Sequence, residues 1–477
     1  MPSSPDRARR RPARLLAASA GRLVLVAALG ACASPTPTPD SIDSGADTAA
    51  DAAPTSEVSE DIPTVVTVRW ETAAPSVGVV EYGETIEYGS TAPATASTTD
   101  HEVVLLGLPA DSDVHFRTTS TTAAGDVVVS ADQVAHTGSL AGGLPSFTFT
   151  GDPDAVSGFQ LLTTIGAVAA VAIVDAQGQP VWAYVPADQD VGIFRARLAV
   201  DGQSVLYLSI PKSPDGGGEA IVRVSFDGGQ IDSLAFDGLD HDFAELADGT
   251  IAAIATSPRT VDGVEIVGER IVEIDPDGDA VVVWDAWDSF DPAVTPGNGQ
   301  TDRWVHANAL DYQPERDAYT LSLRAFDSLV RIDRATGSIT WALGAAVVDL
   351  PGAAAFSEDS TPFVGQHQFE WLDDGLLVFD NGAEGDLDSR VVEYALDADQ
   401  QVATEVWSHH HDPALYGYAL GDAHRGSDGL TQIVWSTAGV IEDVDPDGTA
   451  VWQLAAELGT GFGYSDRLAS LYPLPPA

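Results

Sequence analysis

The chain has 477 residues, too many for one small domain at roughly 100–200 residues per domain. Apolar side chains make up 44% of it, which excludes a wholly disordered chain. Lysine and arginine total 22 against 72 aspartates and glutamates, so the formal net charge is −50. Because so acidic a surface repels phosphate backbones and anionic headgroups, the composition argues against nucleic acid as a partner.

The first 32 residues have the pattern of an export signal. Arginines precede an apolar run from Leu23 to Ala31, which is far shorter than the ~20 residues of a membrane-spanning helix. The run ends in Leu29-Gly30-Ala31-Cys32, which resembles a bacterial lipobox. That resemblance implies a signal peptide over residues 1–31 and a lipidated Cys32 that anchors an exported protein on the periplasmic or surface side of a membrane. An ordinary signal peptide with an incidental cysteine is the alternative.

Two segments follow before the main part of the chain. Residues 32–60 are rich in Pro, Ser, Thr, Ala and acids and predict a disordered tether. Residues 61–139 contain short alternating β-type runs, with Trp70 early and Leu106-Gly107-Leu108-Pro109 ahead of Phe116. This pattern resembles a fibronectin type III β-sandwich, with Phe116 where a corner tyrosine is usual.

An internal repeat dominates residues 140–477. A strand, an Asp/Gly turn and a second strand that often ends in tryptophan recur six times, at residues 172–182, 222–231, 272–284, 330–341, 392–407 and 441–452. The spacing suits four-stranded blades and predicts a six-bladed β-propeller in an all-β protein. The DPDGD turn lacks the full spacing of a calcium loop, so hairpin turns are expected. The repeat tryptophans are expected to pack between blades.

Four histidines recur at one place in this repeat. His241, His306, His367 and His424 each open the segment that leads into the next strand pair. Because the inner strands of a propeller line its central channel, equivalent positions converge on one axis, and the histidines are predicted to share one cavity. The alternative is that duplicated blades inherited a histidine that only caps a turn.

Three stretches around these histidines resemble the bacterial arylsulfotransferases that do not use 3′-phosphoadenylyl sulfate. They are residues 304–344, with His306-Ala307-Asn308, residues 365–382 together with 389–394, with Gln366-His367 and Phe379-Asp380-Asn381-Gly382, and residues 461–472. The resemblance implies a six-bladed propeller after a small β-domain. It also implies transfer of a sulfuryl group from a phenolic sulfate to a phenol, with no nucleotide cofactor.

The same resemblance suggests roles for individual residues. His367 is similar to the histidine that becomes transiently sulfated, while His306, Asn308, Arg324 and His241 are similar to the residues that hold the sulfate oxygens and assist proton movement. Such roles suit a loose transition state whose charge lies on the oxygens. His424 either completes the substrate-binding ring or is a loop residue.

Two arginines and two rival functions remain open from the sequence. Arg195 and Arg197 lie near the place of a fifth histidine, where they either help to bind sulfate or form a surface salt bridge.

The first rival function is a lipid-anchored recognition module without catalysis. The second is an enzyme whose histidines hold a divalent metal, since neutral imidazoles suit such an ion.

Overall fold

Antiparallel β-strands make up nearly all of the regular structure. The structure is a computed structural model, and it describes residues 53–140, 142–213, 218–295, 297, 300–383 and 388–472. The predicted all-β class is therefore confirmed. The predicted signal peptide, Cys32 and most of the predicted tether lie outside the described residues. In the described part of the chain, no helix has the length and apolar character that crossing a bilayer requires.

Seven strands form an N-terminal sheet, in which the long, bent β2 pairs with β1, β3, β4 and β5, and β5 pairs with β6 and β7. The strands are β1 (Thr55–Val58), β2 (Val66–Gly83), β3 (Ser90–Ala92), β4 (Thr98–Leu105), β5 (Asp113–Thr122), β6 (Val127–Val129) and β7 (Gln133–His136).

The remaining strands form six antiparallel groups, named sheets 1 to 6 in chain order. Sheet 1 is β9 (Phe159–Ile165), β10 (Ala170–Val174) and β11 (Pro180–Tyr184); sheet 2 is β12 (Val191–Leu198), β13 (Ser204–Pro211), β14 (Ala220–Ser225) and β15 (Ile231–Ala235); sheet 3 is β16 (Leu239–Glu245), β17 (Ile251–Val261), β18 (Val264–Ile274) and β19 (Ala280–Asp285). Sheet 4 is β20 (Ala307–Gln313), β21 (Ala318–Leu323), β22 (Ser328–Asp333) and β23 (Ile339–Gly344); sheet 5 is β25 (Phe369–Leu372), β26 (Gly375–Asp380), β27 (Arg390–Leu396) and β28 (Val402–His409); sheet 6 is β29 (Asp422–Arg425), β30 (Thr431–Trp435), β31 (Val440–Val444) and β32 (Ala450–Ala456).

Four further strands join these sheets to one another. Strand β24 (Ala353–Phe356) pairs with β23 and β28 and links sheets 4 and 5, while β8 (Phe147–Gly151) adds to sheet 6 and β33 (Gly461–Phe462) and β34 (Asp466–Leu468) add to sheet 1. The short helical elements are Pro153–Ala155, Ala286–Ser289, Arg324–Phe326 and Ser436–Ala438. The two ends of the region thus complete each other's sheets.

All six predicted hairpins are antiparallel strand pairs. In the DPDGD turn, Asp275 Oδ1 accepts the backbone N–H groups of Asp277 and Asp279, and Gly278 has a φ of +89°. The carboxylate is used inside the turn, as a hairpin requires. In the fifth repeat the left-handed residue is Gln400, at φ +55°, rather than Asp399, which the sequence suggested as the turn residue.

Each sheet packs its apolar face on the next, and sheet 6 packs on sheet 1. Six buried clusters join sheets 1 and 2, 2 and 3, 3 and 4, 4 and 5, 5 and 6, and 6 and 1 in turn. Because neighbours cover both of their faces, the second strands of sheets 1, 2, 4, 5 and 6 are buried along most of their length.

The repeat tryptophans lie between these sheets, as predicted. The indole of Trp182 donates to the carbonyl of Phe226, that of Trp341 to Gln400 and that of Trp452 to Ala176, each in a hairpin turn of the adjoining sheet. Each indole thus buries its ring and satisfies its N–H in the same contact.

The N-terminal sheet has its own core and is fixed to the rest of the chain. Trp70 and Phe116 are buried in it, as the sequence suggested. The hydroxyl of Tyr82 donates to the carbonyl of Leu106, and the hydroxyl of Tyr472 accepts from the Leu106 backbone N–H. These two tyrosines thus satisfy both backbone polar groups of Leu106.

A buried cluster of charged and polar side chains ties the sheets together at their first strands. We call Arg195, Arg197, Asp242, Gln368 and Asp422 the central polar cluster. Arg195 lies 3.2 Å from carboxylate oxygens of both Asp242 and Asp422. Asp242 also accepts from Gln368 Nε2 at 2.9 Å and lies 3.3 Å from Arg197. Burial alone would lower the pKa of Arg195, but three nearby carboxylates outweigh it and raise that pKa.

This cluster corrects the expectation for Arg195. Its side chain is neither on the surface nor on the wall of the large cavity described below, because it is 2% exposed and enclosed by carboxylates. Arg197 is partly buried and donates to the carbonyl of Phe243.

We expect Arg195→Ala to destabilise the protein by about 3–5 kcal/mol, because Asp242 and Asp422 would stay buried without their counter-charge. Urea unfolding at neutral pH measures this change. Arg316→Ala is the matched control, since the exposed Arg316 makes one long ion pair within the described residues, at 3.9 Å to Glu315, and its loss should change stability by less than about 0.5 kcal/mol. Equal stability of the two variants would contradict the assignment of the cluster as a structural core.

Candidate active site

A large cavity opens beside the first strands of several sheets. Its volume is about 1140 Å³, and His241, His306, Arg324 and His367 all line it. His241 comes from sheet 3, His306 and Arg324 flank strands of sheet 4, and His367 precedes sheet 5. The structure therefore brings together three of the four predicted histidines and the predicted arginine.

The imidazole of His367 is held in one tautomer. Its Nδ1 lies 2.8 Å from Oδ1 of Asn381. The Nδ2 of Asn381 donates to the carbonyls of Gly417, at 2.6 Å, and Leu420, at 2.8 Å, which fixes the amide with its oxygen toward the ring. Because an amide oxygen only accepts, Nδ1 of His367 must carry the proton. The lone pair of a neutral His367 is thereby left on Nε2.

Burial keeps His367 neutral. The side chain is 2% exposed, and burial together with the positive charge of Arg324 lowers its pKa to about 3, although the bond to Asn381 acts in the opposite direction. A histidine with this pKa is unprotonated at neutral pH and can act as a nucleophile.

His241 and His306 form a second group on the same wall. Their ring centroids lie 5.1 Å apart, and Nδ1 of His241 lies 2.8 Å from Oδ1 of Asp240. Burial and the nearby charges of His241 and Arg303 lower the pKa of His306, so it stays neutral. Both histidines have left-handed backbones, with φ of +48° for His241 and +53° for His306. Such strain in non-glycine residues is typical of functional sites.

Two residues that line this site, His306 and Arg324, each have a buried donor without a partner among the described residues. Nε2 of His306 lies 3.4 Å from Nη1 of Arg303, so it accepts and Nδ1 carries the proton. Among the described residues, that Nδ1 and Nε of Arg324 are both buried and have no hydrogen-bond partner. Since unpaired buried donors cost free energy, they are ready to bind the oxygens of an anion.

The charges of the cavity differ from those of the whole chain. Lys212, Arg303 and Arg324 line it together with only two acids, Asp240 and Glu457. Burial would raise the pKa of Asp240, but His241 and Arg303 outweigh it and lower that pKa. A protein with a net charge of −50 therefore gathers cations around one cavity, which favours an anionic ligand.

A buried carboxyl group supports this wall from behind. Glu269 is 2% exposed, and burial and the charge of Asp240 raise its pKa to about 8. The backbone N–H groups of His306 and Ala307 lie at its carboxyl and act against that rise. Glu269 is therefore mostly protonated at neutral pH and supports the left-handed turn of His306.

The other two predicted site residues lie elsewhere. Asn308 is fully buried below the cavity, and its Nδ2 donates to the carbonyl of Gln366, next to His367. His424 lines a separate cavity of about 430 Å³ with Arg197 and Glu370. Its Nε2 lies 2.8 Å from the carbonyl of Ser465 and 3.3 Å from Asp422, and although burial opposes it, Asp422 raises the pKa of His424 to about 9.

Sequence reasoning missed four residues of the large cavity or its support. They are Asn381, Asp240, Arg303 and Lys212. Asn381 stands inside the Phe-Asp-Asn-Gly motif, and Lys212 is the single lysine of the chain, so two signals were present. Nothing in the sequence alone marks Asp240 or Arg303. Within the described ranges, no group of three or more His, Cys, Asp and Glu side chains is arranged to hold a metal ion.

A neutral buried histidine lies beside the guanidinium of Arg324 and the neutral imidazole of His306, at the mouth of packed β-sheets, and this arrangement suits an anionic group. The sequence profile of the arylsulfotransferase (ASST) family matches residues 150–451, which is more than half of the chain. The chain belongs to this family, and sulfotransferase function follows broadly from that membership. Aryl sulfate donors and phenolic acceptors are the substrates that the family implies.

Other comparisons add little. Functionally curated proteins gave no match. A protein of unknown function from Bacteroides caccae is 14% identical, with 65% of this chain and 98% of that chain covered and a TM-score of 0.43. A chain of a nidogen/laminin complex is 13% identical, with 65% and 99% covered and a TM-score of 0.39. Neither likeness bears on function.

Proposed function

We propose that the protein transfers a sulfuryl group from an aryl sulfate to a phenol in two displacements, through a covalent intermediate on Nε2 of His367. The observation that carries this proposal is the fixed tautomer of His367, whose Nδ1 donates to an amide that two carbonyls hold in place. The reaction uses no nucleotide and no other cofactor.

In the first displacement, Nε2 of His367 attacks sulfur, the N–S bond forms, and the bond from sulfur to the aryl oxygen breaks. The aryl oxygen leaves with the electron pair as a phenolate. Arg324 and the Nδ1–H of His306 are the buried donors available to the three remaining sulfate oxygens. Donors placed in advance stabilise the charge that a loose transition state spreads over these oxygens.

In the second displacement, the acceptor phenol attacks the same sulfur and the N–S bond breaks. A phenol has a pKa near 10 and needs a base at neutral pH. His241 is the candidate base, since Asp240, at 2.8 Å from its Nδ1, can stabilise the imidazolium that forms. The proton of the phenol then goes to His241, and the His367 lone pair is restored.

The proposal extends to the architecture and location of the protein. We infer that sheets 1 to 6 are the blades of a six-bladed propeller over residues 140–477, and that residues 61–139 are a fibronectin type III-like domain. The closed sequence of packed sheets supports the propeller. We also infer an exported protein, attached to the cell envelope only by lipid on Cys32 after removal of residues 1–31, with residues 32–60 as its tether.

A chromogenic assay tests the proposed function. Purified protein is given 4-nitrophenyl sulfate with and without excess phenol, and both 4-nitrophenol and phenyl sulfate are measured. We expect sustained release that depends on phenol and an equal amount of phenyl sulfate. Release that ignores phenol would mean hydrolysis, and no release with several aryl sulfates would contradict the proposal.

The pKa of His367 predicts how the first displacement depends on pH. With a pKa of about 3, His367 stays neutral when the pH falls from 7.5 to 5, whereas at an ordinary pKa near 6.5 only about 3% would be neutral at pH 5. We therefore expect the rate constant for the burst of 4-nitrophenol, measured without an acceptor, to change less than about twofold over this range. Quenched-flow samples, made alkaline before reading, measure it. A roughly 30-fold loss with a midpoint near pH 6.5 would contradict the depressed pKa.

A further inference from the structure

The lining of the large cavity differs between its two sides. Sheets 3 to 5 supply the three imidazoles and Arg324. The opposite side is lined by Ile165 of sheet 1, Phe194 and Ile210 of sheet 2 and the backbone of residues 459–461. A sulfate on the histidine side would therefore place its aryl ring toward the apolar side.

The one lysine of the chain lies on this apolar side. Lys212 follows Ile210 and Pro211 at the end of β13, and all three line the cavity. Its backbone N–H donates to the carbonyl of Asp190 at 2.8 Å, which holds this end of the strand in place. Lys212 is therefore exposed at the rim, across from the imidazoles.

The charge of Lys212 is not used by the rest of the described chain. Its Nζ donates to a backbone carbonyl, that of Gln189, at 2.9 Å, and no ion pair found among the described residues includes it. The two acids of the cavity have other partners, since Asp240 lies against His241 and Glu457 accepts from Ser146. Since no acid of the described residues pairs with this ammonium, two of its three donors are available to a ligand at this rim.

The cavity is large enough for such a ligand. Its volume of about 1140 Å³ exceeds the roughly 300–1,000 Å³ of cavities that hold drug-sized molecules. One aryl sulfate ring leaves room between the sulfate site and Lys212 for a substituent on the ring.

We propose that Lys212 selects aryl substrates that carry a second negatively charged substituent, such as a carboxylate, on the side of the ring away from the sulfate. The proposal rests on the proposed function, because it takes the histidine side as the sulfate site. An ammonium–carboxylate contact at an exposed rim should change binding about 3- to 10-fold.

Two non-transferable sulfonates test the proposal by titration calorimetry. They are 4-sulfophenylacetate, which carries a carboxylate, and 4-ethylbenzenesulfonate, which does not. We expect Lys212→Ala to weaken binding of the first about 3- to 10-fold relative to the second, and Lys212→Arg to restore most of the difference. Arg316→Ala removes the same charge at an exposed position that does not line the cavity, and screened long-range attraction alone should change binding of either sulfonate less than about twofold.

A second test measures kcat/KM for three acceptor phenols of similar size. Lys212→Ala should lower kcat/KM for 4-hydroxyphenylacetate about 3- to 10-fold, leave 4-hydroxyphenethyl alcohol within twofold, and improve tyramine. An unchanged ratio between the two sulfonates, an equal loss for all three phenols, or no binding of either sulfonate would overturn the role of Lys212. The proposed function fails separately, since transfer from 4-nitrophenyl sulfate to unsubstituted phenol involves no second anion.

Discussion

His367→Ala is expected to lower kcat for phenol-dependent transfer by at least about 10⁴-fold, because it removes Nε2, the atom that we propose forms the N–S bond. Binding of an aryl sulfonate should change much less, since Arg324 and His306 supply the free donors of the site. Steady-state rates with 4-nitrophenyl sulfate and calorimetry with 4-ethylbenzenesulfonate measure the two effects.

His410→Ala is the matched control for this variant. His410 is 49% exposed and pairs with Asp388, away from the large cavity, so its loss should leave kcat within about twofold of wild type. A His367→Ala protein that retains a tenth of wild-type kcat would show that another group accepts the sulfuryl group.

Asn381→Ala is expected to lower kcat about 10³-fold or more without removing any atom that touches the substrate. Without Oδ1 of Asn381 the ring loses its fixed tautomer and orientation, and for a catalytic imidazole a wrong tautomer costs up to about 10⁴-fold. The KM for the donor should change little. Rates over a range of donor concentration separate kcat from KM.

Binding of 4-ethylbenzenesulfonate shows whether the Asn381→Ala protein is folded, because the amide also ties the loop at Gly417 and Leu420. Affinity within twofold of wild type, together with a large loss of kcat, identifies Asn381 as a positioning residue. If affinity is kept and kcat falls less than tenfold, the account of the tautomer is wrong.

The repeat could be predicted from the sequence because its hairpins are local. Turn residues such as Gly278 and tryptophans such as Trp182 mark each hairpin within about a dozen residues, and the sheets follow from them. The curled N-terminal sheet was harder to predict, since β2 pairs with four strands and no local pattern fixes those partners.

The site could be predicted only where a histidine keeps the same place relative to the first strand of its sheet. His241, in the irregular first part of β16, and His306, just before β20, both have a left-handed backbone, and in sheet 6 the residue with that backbone is Leu420, with φ of +59°. His424 lies four residues further along, or about 13 Å on an extended chain, which places it in another cavity. Loop lengths that vary between repeats conceal such a shift in a single sequence.

The supporting residues depend on tertiary contacts that no spacing encodes. Asp240 was not expected because the sequence pattern indicated a role only for its neighbour, His241. Arg195 was expected to bind sulfate or to lie on the surface. Its partners Asp242 and Asp422 come from sheets 3 and 6, and only the packing of those sheets shows the buried cluster.

Peptide mapping of the protein after brief incubation with an aryl sulfate tests the central claim most directly. Digestion must be done at neutral to alkaline pH, because N-sulfated histidine is labile in acid. One added SO₃ group on His367, removed by later addition of phenol, is the predicted result. A protein that shows phenol-dependent transfer but carries the group on another residue, or on none, would contradict the covalent role of His367.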